Sequence, residues 1–385
     1  MYFYFLGSHP KLSMAELESV LGFEGLELID TKIAASNLPY NINFLGGTIK
    51  IAELMAEISI DDNLADNLRQ IILKNSPKTE GKLNLGISVY GKKMPPPEIT
   101  KLAFELKKSL KPKLNLRLAP NRAQALDTAQ LIGLKLGRAG LELNLIFKKN
   151  KILVALTREI QNLSSYTLRD YERPARDARV GMLPPKLTQM MINLATAGKP
   201  SAGKVVLDPF CGTGVVLQEA MLAGFSTVGS DIEPRMIEFS RTNLEWIKLK
   251  FKIETDYNLK LGDATSTLWP KFNFVVSEVF LGRPLNKLPQ RKDLDEIIEN
   301  VNLITKKFLL NLRKQISDNN ATICLAVPAW RDGKKIIDLP LIDQLENLGY
   351  NKMSLKFVSG RDLIYFREDA TVARRILLLK IKEKQ

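Results

Sequence analysis

The hydrophobic positions of this chain change period several times, and each change marks an element. Residues 1–6 are a short apolar run that predicts a strand. Ser13, with Glu16 three residues on, reads as a capping box opening a helix. Leu17, Val20 and Leu21 form its apolar face, and Gly22 suits its end. Residues 43–60 predict a further strand and helix. Residues 82–90 alternate as a strand does, and Pro95, Pro96 and Pro97 lead into a helix with Ile99, Leu102, Ala103, Leu106 and Leu110 on one face. Leu114, Leu116 and Leu118 alternate with Asn115 and Arg117; 123–137 predict a helix, and 141–149 and 151–160 two strands about Asn150.

Residues 161–180 are polar and Arg-rich, with Pro174, and read as a linker. Beyond them the pattern predicts strands at 204–208, 226–231, 258–261, 273–277, 321–327, 350–358 and 373–381, with helices at 215–223, 234–248, 293–316 and 339–347. Strands alternating with helices imply an α/β protein whose C-terminal part is a doubly wound, Rossmann-like domain. The expected organisation is a small α/β ferredoxin-like segment over 1–75, a second small α/β module over 76–162, a linker over 163–180 and the doubly wound domain over 181–385.

Composition adds little until charge is considered. With 45% hydrophobic and 25% charged residues, the chain is ordinary for a folded protein. Its net charge of +14 is not evenly spread. Residues 1–60 carry Lys11, Lys32 and Lys50 against seven acids, whereas 82–122 carry ten basic residues against Glu98 and Glu105. A concentrated excess points to a polyanionic partner. Lys92, Lys93, Lys107, Lys108, Lys111, Lys113 and Arg117 are its candidate contacts. Two cysteines and a single histidine, His9, provide neither a disulfide framework nor a metal site, and His9 reads as a surface residue. No metal is therefore expected. The first residues lack the marks of a signal peptide, and no apolar run approaches the ~18 residues of a membrane span. A reducing cytoplasm is the expected setting.

The most informative stretch is Val205-Val206-Leu207-Asp208-Pro209-Phe210-Cys211-Gly212-Thr213-Gly214. An apolar strand ends in a carboxylate, and a glycine turn feeds a helix whose N-terminus favours an anion. A ligand bearing both a carboxylate and an ammonium suits this corner, its carboxylate over the amides near 212–215 and its ammonium on Asp208. Asp231, with Ile232 after it, closes the next strand, where an acid can accept from ribose hydroxyls. Asp263 and Ala264 close the third, where a carboxylate can accept from an adenine amine. A dinucleotide site would want a third glycine where Leu217 stands, which disfavours NAD.

Asp-Pro-Phe-Cys-Gly-Thr-Gly resembles the motif of Rossmann-type S-adenosylmethionine-dependent methyltransferases, in the form found in those that methylate exocyclic base amines. The resemblance implies S-adenosyl-L-methionine as cofactor, with Asp208 and Gly212–Gly214 on its methionine part, Asp231 on ribose, and Asp263 with Ala264 on adenine. After the fourth strand such enzymes usually carry Asp/Asn/Ser-Pro-Pro-Tyr/Phe. Here Ser277-Glu278-Val279-Phe280 stands there, with Ser277 and Phe280 in the first and last places and both prolines replaced. Acceptors at this place hold the N–H groups of an amine, and an aromatic ring stacks on the base. Ser277, Glu278 and Phe280 are thus the candidate catalytic residues. Residues 282–292 read as a basic, mobile loop at the mouth, with Arg283 a candidate phosphate contact.

The likeness extends further. Met1–Leu21, residues 80–160, Tyr166–Lys186 with Gly181-Met182-Leu183-Pro184-Pro185-Lys186-Leu187, and Arg374-Arg375-Ile376-Leu377 resemble archaeal and eukaryotic tRNA guanosine N2-methyltransferases. The resemblance makes 76–162 a THUMP-like RNA-binding domain, has 181–187 help close the cofactor pocket, and implies methylation of a guanosine amine in tRNA. Methylation of rRNA or DNA amines, or a non-catalytic RNA-binding role on a retained fold, are the alternatives.

Overall fold

A computed structural model describes residues 1–60, 63–77, 81–177, 182–199, 201–316 and 321–382. The chain forms two compact units: 1–8, 24–43 and 48–162 in the first, and 9–23, 44–47 and 163–385 in the second. No described helix is long and apolar enough to cross a membrane.

The first unit is built on one eight-stranded sheet. Its strands run in the order Leu26–Asp30, Ile33–Ser36, Tyr2–Leu6, Thr48–Ser59, Lys151–Ile160, Leu141–Phe147, Leu83–Tyr90 and Leu116–Leu118. The sheet runs across the division expected at 75/76. Residues 43–60 are not a strand and a helix: Thr48–Ser59 is one 12-residue strand, paired on one side with Tyr2–Leu6 and on the other with Lys151–Ile160. Pairing on both edges overrides the helical spacing of its apolar residues. The helix Pro96–Leu110 packs Ile99, Ala103, Leu106 and Leu110 into the core, as its period predicts. The helix expected over 123–137 is the short Thr128–Gly133, stopped where the chain turns through Lys135 at φ 52°. The strands Leu26–Asp30 and Ile33–Ser36 and the helix Leu64–Asn75 were not anticipated, being short or weakly apolar.

The second unit is the expected doubly wound domain. Its sheet runs Tyr257–Leu261, Ser226–Asp231, Val205–Asp208, Phe274–Glu278, Thr322–Asp332, Val372–Ile381 and Tyr350–Lys352; the first five are parallel, Val372–Ile381 is antiparallel to them, and Tyr350–Lys352, antiparallel to that strand, regains their direction. Strand order reverses between Val205–Asp208 and Phe274–Glu278. A crevice opens at such a reversal, outside the carboxyl ends of the strands. Val206 and Leu207 are buried on both faces, as parallel strands covered by helices require. Residues 339–347 form only a 3-10 turn, Pro340–Gln344, and 350–358 keep only three residues of strand.

Two expectations at the edges of this unit fail for physical reasons. The stretch read as a linker carries the helix Leu163–Tyr171, and its Arg169 is buried against Glu219 at 2.7 Å. An inward-facing charge hid the helical pattern. Ser13 and Glu16 form no capping box: the helix begins at Pro10, and Ser13 Oγ donates to the His9 carbonyl. Glu16 instead accepts from the amides of Gly46 and Gly47, each at 2.8 Å, and from Asn193 Nδ2 at 2.7 Å. His9 is half-buried, its ring stacked on Tyr365 at 4.5 Å, not a free surface residue.

Candidate functional site

A cavity of about 900 Å³ opens at the strand-order reversal of the second unit. Ten of the eleven expected cofactor residues line it: Asp208 to Thr213, Asp231, Ile232, Asp263 and Ala264. Gly214 does not. It caps the helix Val215–Leu222 at φ 82°, a left-handed backbone that a side chain would strain. Gly212, at φ 50°, turns the chain just before it.

The turn is held by the site's own acids. Asp231 Oδ2 accepts from the Gly212 amide at 2.9 Å and its Oδ1 from the Glu233 amide at 3.0 Å. The Gly214 amide is spent on the Cys211 carbonyl at 2.7 Å. So the amides of Gly212 and Gly214 do not wait for a ligand's carboxylate, contrary to expectation. The first-turn residues Val215 and Val216 line the cavity, and amides at a helix start have no intrahelical partner.

Asp208 is buried, and it accepts from Ser277 Oγ at 2.6 Å and the Phe210 amide at 3.2 Å. Burial pushes its carboxyl up to about 7, against the lowering pull of those two donors. Among the described residues no cation pairs with it. A buried carboxylate facing a cavity without a counter-charge fits a cationic ligand group. Asp231 is raised as well, by burial first. Asp263 is exposed at the rim and accepts from the Thr265 amide at 2.8 Å. Three acids, each with unspent acceptor capacity, thus face one cavity and fit an ammonium, a ribose and an amine in turn.

The acceptor side departs from expectation in one residue. Ser277 is fully buried and off the cavity wall, its hydroxyl given to Asp208. Successive strand side chains point to opposite faces, so the last strand residue, Glu278, is the one that emerges into the crevice. Val279 is buried, its amide bonded to the Ala326 carbonyl at 3.1 Å, and it lines the cavity together with Phe280, 38% exposed, and Leu281. Of the three candidate catalytic residues, Glu278 and Phe280 therefore reach the cavity and Ser277 does not. Arg283 also lines the wall.

Glu278 is paired with Arg374 Nε in a short ion pair, and both line the cavity. Burial raises the Glu278 carboxyl and Arg374 opposes it. Arg374 lies 96 residues downstream, on a strand one removed from that of Glu278. No local pattern announces that partnership; only the antiparallel return of Val372–Ile381 creates it. Asp369 to Val372 and Met182 with Leu183 complete the wall. Val180 and Gly181 lie outside the described residues.

Five of the seven candidate RNA contacts of the first unit gather at the C-terminal end of one helix, and Lys92 and Lys93 precede its other end. Lys107 and Lys108 close Pro96–Leu110, Lys111 and Lys113 follow it, Arg117 sits on Leu116–Leu118, and Lys92 and Lys93 lead in from Leu83–Tyr90. All but half-buried Lys107 are exposed, and none is ion-paired among the described residues.

Residues 200–339 match a family profile described as "Methyltransferase domain", and residues 148–242 one described as "DNA methylase". The chain is 31% identical over 159 residues to the tRNA (guanine(10)-N2)-dimethyltransferase of Methanothermobacter thermautotrophicus, covering 41% of this chain and 42% of that one. It is 32% identical over 123 residues to the probable tRNA (guanine(10)-N2)-dimethyltransferase of Methanothermococcus thermolithotrophicus, covering 32% of this chain and 74% of that one. The alignment with the Pyrococcus abyssi enzyme of the same name spans 22% of each chain. The chain thus spans less than half the length of the first curated relatives it matches. The structure of TrmN from Thermus thermophilus superposes with a TM-score of 0.55 at 14% identity, over 99% of this chain and 100% of that one, a likeness of fold.

Proposed function

The chain belongs to the tRNA (guanine(10)-N2)-dimethyltransferase family, and we propose that it transfers a methyl group from S-adenosyl-L-methionine to the N2 amine of a guanosine in tRNA. The observation that carries this reading is buried Asp208, facing the cavity with no cation beside it among the described residues. Asp208 would hold the methionine ammonium, Asp231 the ribose hydroxyls, and Asp263 with Ala264 the adenine. The bound cofactor contributes an activated methyl on a positively charged sulfur. What remains for the protein is mostly positioning. Ser277 acts indirectly, orienting Asp208 through its hydroxyl. Glu278 accepts from the amine and takes its proton as the N–C bond forms and the methyl's bond to sulfur breaks, the electron pair staying on sulfur. Phe280 and Leu281 give the base an apolar surface.

The first unit serves as a THUMP-like grip on folded RNA, its unpaired lysines neutralising phosphates. Arg283 does the same at the cavity mouth. A reducing cytoplasm suits two buried, unpaired cysteines.

Incubation with methyl-labelled S-adenosylmethionine and unmodified tRNA, rRNA or DNA tests this. Transfer to tRNA alone, with N2-methylguanosine in the digest, is expected. Label in another nucleoside, or in rRNA or DNA instead, overturns the substrate assignment.

A further inference from the structure

Arg374 and Arg375 are neighbours on one strand, but their side chains are used differently. Arg375 gives Nε and Nη2 to Asp338, at 2.9 and 3.1 Å, and Nη1 to the Arg361 carbonyl. Each of its three nitrogens thus serves the fold. Arg374 gives only Nε, to Glu278. Among the described residues its two terminal nitrogens have no partner, and neither does Glu278 Oε2. The two side chains are 12% and 17% exposed and line the cavity wall. These atoms are not sealed from solvent but open on the cavity, where a ligand can reach them.

The ligand must suit both charges. A phosphate would satisfy Arg374 but would meet the Glu278 carboxylate beside it. A neutral ring edge carrying donors next to an acceptor satisfies both. We propose that the Glu278–Arg374 pair reads the Watson–Crick edge of the acceptor base and selects guanine, a specificity role for Arg374 that rests on the methyl-transfer reading above. Guanine offers N1–H and N2–H side by side to the two carboxylate oxygens and O6 next to them for the guanidinium. Adenine and cytosine each offer the carboxylate a single donor, their amine, beside a bare ring nitrogen. The pair holds the reacting amine and the ring together, so it sets both which base enters and how its amine faces the methyl.

The test compares tRNA carrying guanosine with tRNA carrying 2,6-diaminopurine riboside at the methylated position. The analogue keeps the N2 amine, loses N1–H and replaces O6 by a donor. A hydrogen bond to a charged partner is worth about tenfold or more. The wild-type protein should therefore favour guanosine by roughly 100-fold in kcat/KM. Arg374→Ala should cut that ratio to about tenfold, by slowing guanosine and not the analogue. Calorimetry of S-adenosylmethionine binding checks that the variant is folded; if it is not, Arg374→Lys, which keeps the charge and loses the planar fork, carries the same test. A ratio unchanged in a variant that binds the cofactor normally overturns the role of Arg374 alone. Wild-type protein that methylates no guanosine overturns the function and this pair with it.

Discussion

Lys50 in the first unit and Arg374 in the second each meet a glutamate away from bulk water, but their surroundings differ. Lys50 Nζ reaches Glu142 at 2.6 Å and Asn144 at 2.7 Å, and sits over the rings of Phe5 and Tyr90. Glu142 accepts in addition from Ser88, at 2.6 Å, and from Thr157. Four strands converge on one closed network with side-chain exposures of 1% and 0%. Glu278 and Arg374 have only each other, and they face a cavity. A satisfied network fixes strands in place; a half-satisfied one, held by the same rigid sheet, is free to bind.

The comparison breaks most sharply by mutation of the closed pair. Lys50→Met leaves Glu142 charged, buried and unpaired, and should cost about 3–5 kcal/mol. Urea unfolding followed by circular dichroism would read this, and Lys50→Met/Glu142→Leu should recover much of the loss. Arg374→Met, with solvent at hand, should cost under about 2 kcal/mol. Equal losses would erase the distinction. Glu278→Gln comes next: stability and cofactor affinity are retained, while kcat/KM for RNA falls by about 100-fold, as loss of a general base and acceptor predicts. A smaller effect concerns pH. Asp208 titrates near 7, so as pH falls through that value it takes a proton and loses its hold on an ammonium. Cofactor affinity should weaken about tenfold per pH unit below it and level off above. In Asp208→Asn the profile should be flat over the same range.

The cofactor half of the site was legible because it is local. Asp208 to Gly214 lies in one strand–turn–helix, and Asp231 and Asp263 end the next strands in order. The acceptor half was legible only in part. Strand alternation decides whether Ser277 or Glu278 emerges, and the sequence does not say where Phe274–Glu278 ends. Arg374 was invisible as a partner because its approach depends on the pairing of Val372–Ile381 with Thr322–Asp332. Glu16 shows the opposite error. Its spacing from Ser13 matches a cap, but its carboxylate is drawn to Gly46, Gly47 and Asn193, all distant in sequence, and burial raises it to about 7.

The central claim is that three acids at three strand ends grip one adenosyl ligand, with Asp208 as its cation-binding corner. Titration of S-adenosylmethionine into the purified chain at pH 8 should release the heat of binding one equivalent, and Asp208→Ala should weaken that binding by at least about tenfold. No uptake by the unaltered chain, or undiminished uptake by the variant, would contradict it.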